Sequence, residues 1–152
     1  MPTKSTRKST SRTEANVRVQ DASRSRRVPS AARFRAWVSA AAVGPTEVTV
    51  RLVGTAEARR LNLAFRGRDY ATNVLTFAYA AGSGDIVLCP TVIGREARAQ
   101  GKPLAAHYAH LTVHAILHLR GHDHARAADA ARMERAEIRI LKRLGVANPY
   151  VI

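Results

Sequence analysis

The sequence predicts an α+β domain in which a small mixed β-sheet of about four strands is covered by helices. Four segments alternate apolar and polar residues or are rich in valine and isoleucine, as strands are, and five longer segments repeat apolar residues at helical spacing. Their order along the chain, βα-βα-β-β-α-α-α, favours a layered sheet-and-helix arrangement. A chain of 152 residues with 46% hydrophobic residues is long enough for one domain with a substantial core.

The first half of the chain alternates strands and helices. Val17 and Val19 alternate with polar residues, and the EVTVRLV segment is β-branched. Ser and Thr at the starts of the two helical segments are preferred N-cap residues. The predicted elements are a strand at Asn16–Gln20, a helix from Ser30 that contains Phe34, Trp37 and Val38 and ends before Gly44-Pro45, a strand at Glu47–Val53, and a helix at Thr55–Ala64.

The second half contains two strands followed by three helices. A loop at Arg66–Asp69 precedes the third strand, and a tight connection at Ala80–Gly84 joins the third strand to the fourth. Gly101 and Pro103 separate two of the helices. The predicted elements are strands at Asn73–Tyr79 and Asp85–Cys89 and helices at Thr91–Gln100, Leu104–Arg120 and Ala127–Leu144, with Phe34, Trp37, Cys89 and Met133 expected in the core.

Charge and composition limit the environment and the partners. The net charge is +14, of which residues 1–35 contribute +8, and such a surface favours a polyanion such as RNA, although arginine-rich coding without a specific partner is the alternative. Residues 1–15 are polar and basic and predict a disordered tail before a single domain at 16–152. No apolar run approaches the roughly 20 residues that span a bilayer, and no secretory signal is present. One cysteine cannot form an internal disulfide, so we expect a cytoplasmic protein.

The histidines predict a mononuclear metal site. All six lie between residues 107 and 124. His114 and His118 are four residues apart and project from the same face of a helix. Gly121 allows the chain to turn back, so that His124 becomes a third ligand. Three neutral imidazoles with an open fourth position suit one catalytic zinc ion per chain.

The same spacing occurs in the H-E-x-x-H-x-x-G-x-x-H frame of zinc metalloproteases. The protease uses the glutamate after its first histidine as the general base for the attacking water. Ala115 occupies that position here, and its methyl group cannot accept a proton. The sequence therefore predicts a zincin-like metal helix and disfavours peptide hydrolysis.

The polar residues near this frame have open roles. His110 lies one turn before His114 and is expected either to support a ligand or to line a pocket, whereas His107 is expected to be solvated. His122 is equally compatible with solvent and with the pocket. Asp123 is expected either to orient a ligand imidazole or to cap the last helix.

Three separated motifs resemble the YbeY family of bacterial rRNA maturation factors and zinc-dependent endoribonucleases. The family signature H-G-x-L-H-L-x-G-Y-D-H stands here as HAILHLRGHDH at residues 114–124, with Ala115 for glycine and His122 for tyrosine. The similarity extends from about residue 34 to the end of the chain. The other similar segments are FRGRDYATNVLTF at 65–77, GDIV at 84–87, QGKPL at 100–104 and Met133-Glu134-x-x-Glu137.

The resemblance implies a single-strand-specific endoribonuclease that matures the 3′ end of 16S rRNA and acts in ribosome quality control. It implies zinc held by His114, His118 and His124, catalytic roles for His114 and Arg66, and the small ribosomal subunit and its proteins as partners. DNA and membranes are not expected partners. The guanidinium of Arg66 would bind the scissile phosphate, and a surface salt bridge is its alternative role. A non-catalytic, zinc-containing ribosome assembly factor is the rival function.

The residues leave two steps of the reaction open. Zinc lowers the pKa of bound water to about 7, so zinc hydroxide and the substrate 2′-OH are both candidate nucleophiles. His122, His110 or a water molecule would protonate the leaving oxygen.

Overall fold

The computed structural model describes residues 15–121 and 126–151, and these form four strands and five helices. The predicted basic tail lies outside the described residues, except that Ala15 already belongs to the first strand. In chain order the elements are β1 (Ala15–Asp21), α1 (Ala31–Ala41), β2 (Thr46–Leu52), α2 (Thr55–Arg66), β3 (Val74–Ala80), β4 (Ser83–Leu88), α3 (Pro90–Gln100), α4 (Leu104–Leu119) and α5 (Ala127–Arg143).

The four strands form one mixed sheet in the order β1-β2-β4-β3. Strand β1 pairs in parallel with β2, and β2 pairs in parallel with β4. Strand β3 pairs antiparallel with β4, as a tight connection requires. The α+β prediction with a small mixed sheet is therefore confirmed.

The sheet separates two apolar clusters, because successive side chains of a strand point to opposite faces. Ile86 and Leu88 pack in the larger cluster with α1, α4 and α5, whereas Val87 packs in the smaller one, which includes Ala58 of α2. Phe34, Trp37, Met133 and Cys89 are buried, as predicted.

Helix α2 ends later than the sequence prediction placed it. Gly67 adopts φ +70° at the C-cap, and its backbone N–H donates to Leu63 O. A glycine in this left-handed conformation closes a helix at the preceding residue. Arg66 is therefore the last residue of α2 and not part of the loop, and the prediction that α2 ends at Ala64 was wrong.

Two contacts fix the carboxyl end of α4 against the sheet. The backbone N–H of Gly82, in the β3–β4 turn, donates to Leu119 O at 2.9 Å. A Cβ on Gly84 would overlap the carbonyl oxygen of Phe77 and lie 2.8 Å from the Leu119 side chain. Glycine at position 84 thus allows the close approach that sets the position of the last turn of α4.

Candidate metal centre

Helix α4 carries His114 and His118 on one partly open face. Ten of its sixteen residues are buried against the sheet and the neighbouring helices, but these two histidines are only partly buried. Their ring centroids are 4.7 Å apart. The structure therefore brings together two of the three predicted zinc ligands, one helical turn apart.

The third predicted ligand lies outside the described residues. Gly121 leaves the helix with φ +98°, as the turn in the motif requires. His122, Asp123 and His124 follow it and are not described. Within residues 15–121 and 126–151, no three His, Cys, Asp or Glu side chains form a group suited to a metal ion.

A buried carboxylate holds His114 from behind. Glu137 of α5 is fully buried, and its Oε2 accepts a hydrogen bond from His114 Nδ1. Its Oε1 accepts from His110 Nε2 at 3.1 Å and from the hydroxyl of Tyr150. We refer to His110, His114, Glu137 and Tyr150 as the Glu137 cluster.

The hydrogen bonds of this cluster keep Glu137 ionised. Burial alone raises the pKa of a carboxyl group, because it disfavours the charged form. Three donors that converge on the carboxylate outweigh the burial and lower the pKa of Glu137 to about 2. Burial and the neighbouring carboxylate together raise the pKa of Tyr150, so its hydroxyl stays a donor.

The sequence contained a signal for Glu137 that the prediction did not use. Met133, Ala136, Ile140 and Leu141 are the buried residues of α5, and Glu137 lies among them on the apolar face. A glutamate is almost never fully buried without a partner. Its position in that stripe therefore indicates a paired carboxylate, a role that the sequence analysis offered only to Asp123.

A second histidine–carboxylate pair lies two turns earlier on α4. His107 is 4% exposed, and its Nε2 lies 2.8 Å from Glu96 Oε1. Asn73 Nδ2 donates to both oxygens of Glu96, at 3.0 and 3.3 Å. Burial lowers the pKa of His107, although Glu96 opposes this shift. The expectation of a solvated His107 was wrong, because α3 covers the first turn of α4.

The loop after α2 is held by its own ion pair. Arg59 donates from Nε and Nη2 to the two oxygens of Asp69, at 2.6 and 3.0 Å, and this pairing lowers the pKa of Asp69. The side chain of Arg66 is exposed and has no hydrogen bond or ion pair with the described residues. The salt-bridge alternative for Arg66 therefore finds no partner in the described part of the chain, and no hydrogen bond or ion pair joins Arg66 to the histidines there.

A cavity of about 900 Å³ opens beside the Glu137 cluster. It lies between the C-terminal end of α3, the first turns of α4 and the segment that follows α5. His110 belongs both to the cavity wall and to the Glu137 cluster. We call this feature the α3–α4 cavity, and its polar lining includes Asn73, Glu96, Lys102, His107, His110 and Tyr150.

No helix in the described ranges is both long enough and apolar enough to cross a membrane.

Comparison with known proteins gives a consistent set of relatives. The family model described as "Endoribonuclease YbeY" matches residues 10–145. The chain is 52% identical over 142 residues to "Endoribonuclease YbeY" of Thiobacillus denitrificans, with 90% of this chain and 97% of the relative covered. It is 56% identical over 127 residues to the protein of the same description from Aromatoleum aromaticum, with 82% of each chain covered.

A solved structure shares the fold. It is the solution structure of TM1509 from Thermotoga maritima, which superposes with a TM-score of 0.57 and 21% sequence identity over 90% of this chain and 99% of that one. At this identity the likeness concerns the fold alone.

Proposed function

Since this chain belongs to the YbeY family of endoribonucleases, we propose that it uses one zinc ion to cleave single-stranded RNA in the late maturation of the 3′ end of 16S rRNA. The observation that carries the proposal is the pair His114 and His118 on one face of α4, with the Glu137 carboxylate on Nδ1 of His114. We also propose that residues 16–152 act as one hydrolase domain.

The donor set fits zinc. Histidines that bind zinc commonly donate their other ring N–H to a carboxylate, which fixes the tautomer and the ring orientation. The Glu137 bond uses Nδ1 of His114, so His114 would bind the metal through Nε2. His114, His118 and His124 would then hold the ion, and His124 is the ligand outside the described residues. Bound zinc would supply a Lewis acid for a phosphoryl oxygen and a nucleophile at neutral pH.

Each protein group has a proposed task in the reaction. Glu137 keeps the His114 ring in one orientation and, as an anion, strengthens the imidazole as a ligand. Arg66 would bind the scissile phosphate and offset the negative charge that builds in the transition state. Its exposure and its lack of an ion-pair partner among the described residues support this role.

Two rival activities make different demands on the same site. A metalloprotease needs a carboxylate after the first histidine, and Ala115 at that position is a buried methyl group. A non-catalytic assembly factor needs zinc only for folding. We propose the cytoplasm as the location. We also propose the small ribosomal subunit and its proteins as partners, because a chain of net charge +14 is suited to ribosomal RNA.

The test is a cleavage assay on a single-stranded RNA from the 3′ end of 16S rRNA, with and without a chelator. We expect chelator-sensitive cleavage and one zinc per chain by elemental analysis. His114→Ala and His118→Ala should lose both zinc and cleavage. Zinc-replete protein that binds RNA without cleaving it would support the assembly factor, and chelator-sensitive proteolysis lost in His114→Ala would support the protease.

Arg66 is tested against a neighbour on the same helix. Arg60 is also an exposed arginine of α2. Arg66→Ala should lower kcat by a factor of 100 or more, since one positioned charge donor contributes roughly that much, while RNA affinity changes little. Arg60→Ala should leave kcat unchanged. Equal losses of binding and cleavage in Arg66→Ala would make Arg66 a docking residue only.

A further inference from the structure

The α3–α4 cavity has the volume and lining of a site for a small organic group. Its volume of about 900 Å³ lies within the range of small-molecule sites. Apolar groups of Ala99, Ala106, Leu111, Val146 and Pro149 form much of the wall. A cavity that is largely apolar, with a few fixed polar groups, suits a flat heterocycle better than an ion.

The polar groups of the cavity are held in place by the fold. Glu96 is fixed by Asn73 and His107, and about a third of its side chain is exposed. A carboxylate can accept about four hydrogen bonds, so Glu96 retains capacity for a further donor. On the C-terminal side, Tyr150 is held by Glu137, and Lys102 Nζ donates to Pro149 O at 3.1 Å. These groups are preorganised to hydrogen-bond a ligand edge.

Aromatic rings border the cavity on the side of the metal site. The rings of Tyr150 and His110 meet edge to face, with centroids 5.5 Å apart. The rings of His110 and His114 are 6.3 Å apart. A group inside the cavity is therefore separated from the proposed zinc ligand His114 by a single side chain.

We propose that the α3–α4 cavity receives one unpaired nucleobase of the RNA strand, next to the phosphate that is cleaved. This inference rests on the proposed endoribonuclease function. Single-stranded RNA is commonly recognised by bases that are splayed out, stacked on aromatic side chains and hydrogen-bonded at their edges. The cavity offers an aromatic ring, Tyr150, and fixed hydrogen-bonding groups, and a chain of net charge +14 favours a polyanionic strand over a neutral ligand. Paired RNA cannot fill the cavity, so the cavity would contribute to single-strand specificity.

The experiment combines an abasic scan of the RNA with a filled cavity. Ala99 is an exposed residue of α3 that lines the cavity, and Ala131 is an exposed residue of α5 that does not. The Ala99→Phe variant fills the cavity, and the Ala131→Phe variant is the matched control. An end-labelled, unstructured RNA is prepared with the base removed at one position at a time. Its dissociation constant is measured by fluorescence anisotropy on zinc-loaded protein, before appreciable cleavage.

The wild type should show one sensitive position, where loss of the base weakens binding about tenfold, as expected for one stacked base. In Ala99→Phe, intact RNA should bind about tenfold more weakly and the sensitive position should disappear. Ala131→Phe should behave as the wild type, and all three proteins should keep one zinc. A wild type without a sensitive position, or an Ala99→Phe variant that keeps it, would overturn the proposal.

Cleavage of the intact RNA is followed in the same samples. RNA that is cleaved without any sensitive position leaves the proposed function standing and overturns the base site. RNA that shows the sensitive position but is not cleaved supports the base site and contradicts the proposed nuclease activity.

Discussion

Histidines of helix α4 bind two carboxylates in the described part of the chain, Glu96 of α3 and Glu137 of α5, and the surroundings of these two carboxylates differ. His107 pairs with Glu96 of α3. The Glu96 side chain is 33% exposed and also accepts a hydrogen bond from Asn73. His114 pairs with Glu137 of α5. The Glu137 side chain is 1% exposed and also accepts hydrogen bonds from His110 and Tyr150. Water can replace a lost partner of Glu96, whereas the buried oxygens of Glu137 are satisfied by protein groups.

The two proposals assign different purposes to these two carboxylates. Glu96 meets the α3–α4 cavity, where a partly open carboxylate can still accept a ligand donor. Glu137 is almost fully buried, and its oxygens accept hydrogen bonds from His110, His114 and Tyr150. A sealed anion behind an imidazole fixes the ring and strengthens it as a metal ligand.

The largest expected effect is on stability. Glu137→Ala leaves His110, His114 and Tyr150 without their shared acceptor. Each such loss costs about 1–3 kcal/mol where the donor is buried and less where water reaches it, as at Tyr150. We expect the free energy of unfolding in urea, measured on metal-free protein at pH 7, to fall by about 3–5 kcal/mol. Glu96→Ala should cost about 1–2 kcal/mol, because it leaves one buried donor, His107, without its acceptor. Equal losses in the two variants would remove the distinction between the pairs.

The two histidine–carboxylate sites should lose their contribution to folding stability in different pH ranges. The pKa of Glu137 is about 2 in the folded protein and about 4.5 without the fold, so the unfolded chain binds the proton first. The stability from this group is complete above pH 4.5 and is lost as the pH falls toward 2, a change of the order of 3 kcal/mol. The lowered pKa of His107 also makes the fold less stable in acid, but this loss of stability begins earlier, as the pH falls below about 6.5.

Variants isolate the two windows. Glu137→Gln should remove the loss below pH 4.5, and His107→Gln should remove the loss that starts near pH 6.5. Urea unfolding of metal-free protein between pH 7 and 3 measures both. A Glu137→Gln protein with the same pH profile as the wild type would show that the carboxylate is not ionised in the fold.

Metal affinity should respond to one pair only. Glu137→Gln keeps the size of the side chain but removes the anion, and loss of such a supporting group lowers zinc affinity by about 10- to 100-fold. Glu96→Gln should leave zinc affinity unchanged within a factor of about two. Competition with a chelator of known affinity measures both variants. An equal loss of zinc affinity in Glu96→Gln would mean that disturbing α4 in general, and not the loss of the Glu137 anion, lowers zinc affinity.

The sequence was sufficient to predict the sheet, the five helices and the family, because these depend on local periodicity and on contiguous motifs. The structure confirms the α+β class, and the family match confirms the assignment to an RNA-cleaving enzyme family. The zinc ligands stay a prediction, since His124 lies outside the described residues.

The polar partners could not be predicted in the same way, because they come from distant parts of the chain. Asn73 and Glu96 are 23 residues apart, and Tyr150 reaches His110 across 40 residues. Which side chains meet depends on how α3, α4 and α5 pack, and the spacing of residues within one segment does not predict that packing. The buried His107 was missed for the same reason, since its cover comes from α3.

The smallest expected effect concerns the tyrosine hydroxyls that donate to carboxylates. Tyr150 donates to the sealed Glu137, and Tyr79, which is 70% exposed, donates to Asp85. Tyr150→Phe removes one of three donors to a buried anion and should cost about 1 kcal/mol in the free energy of unfolding. Tyr79→Phe should cost less than about 0.5 kcal/mol, because water replaces the hydroxyl. Urea unfolding of the two variants under one set of conditions measures the difference. If Tyr79→Phe were the more destabilising substitution, solvent access would not be the property that distinguishes these carboxylates, and the role of Tyr150 would reduce to its ring contact with His110.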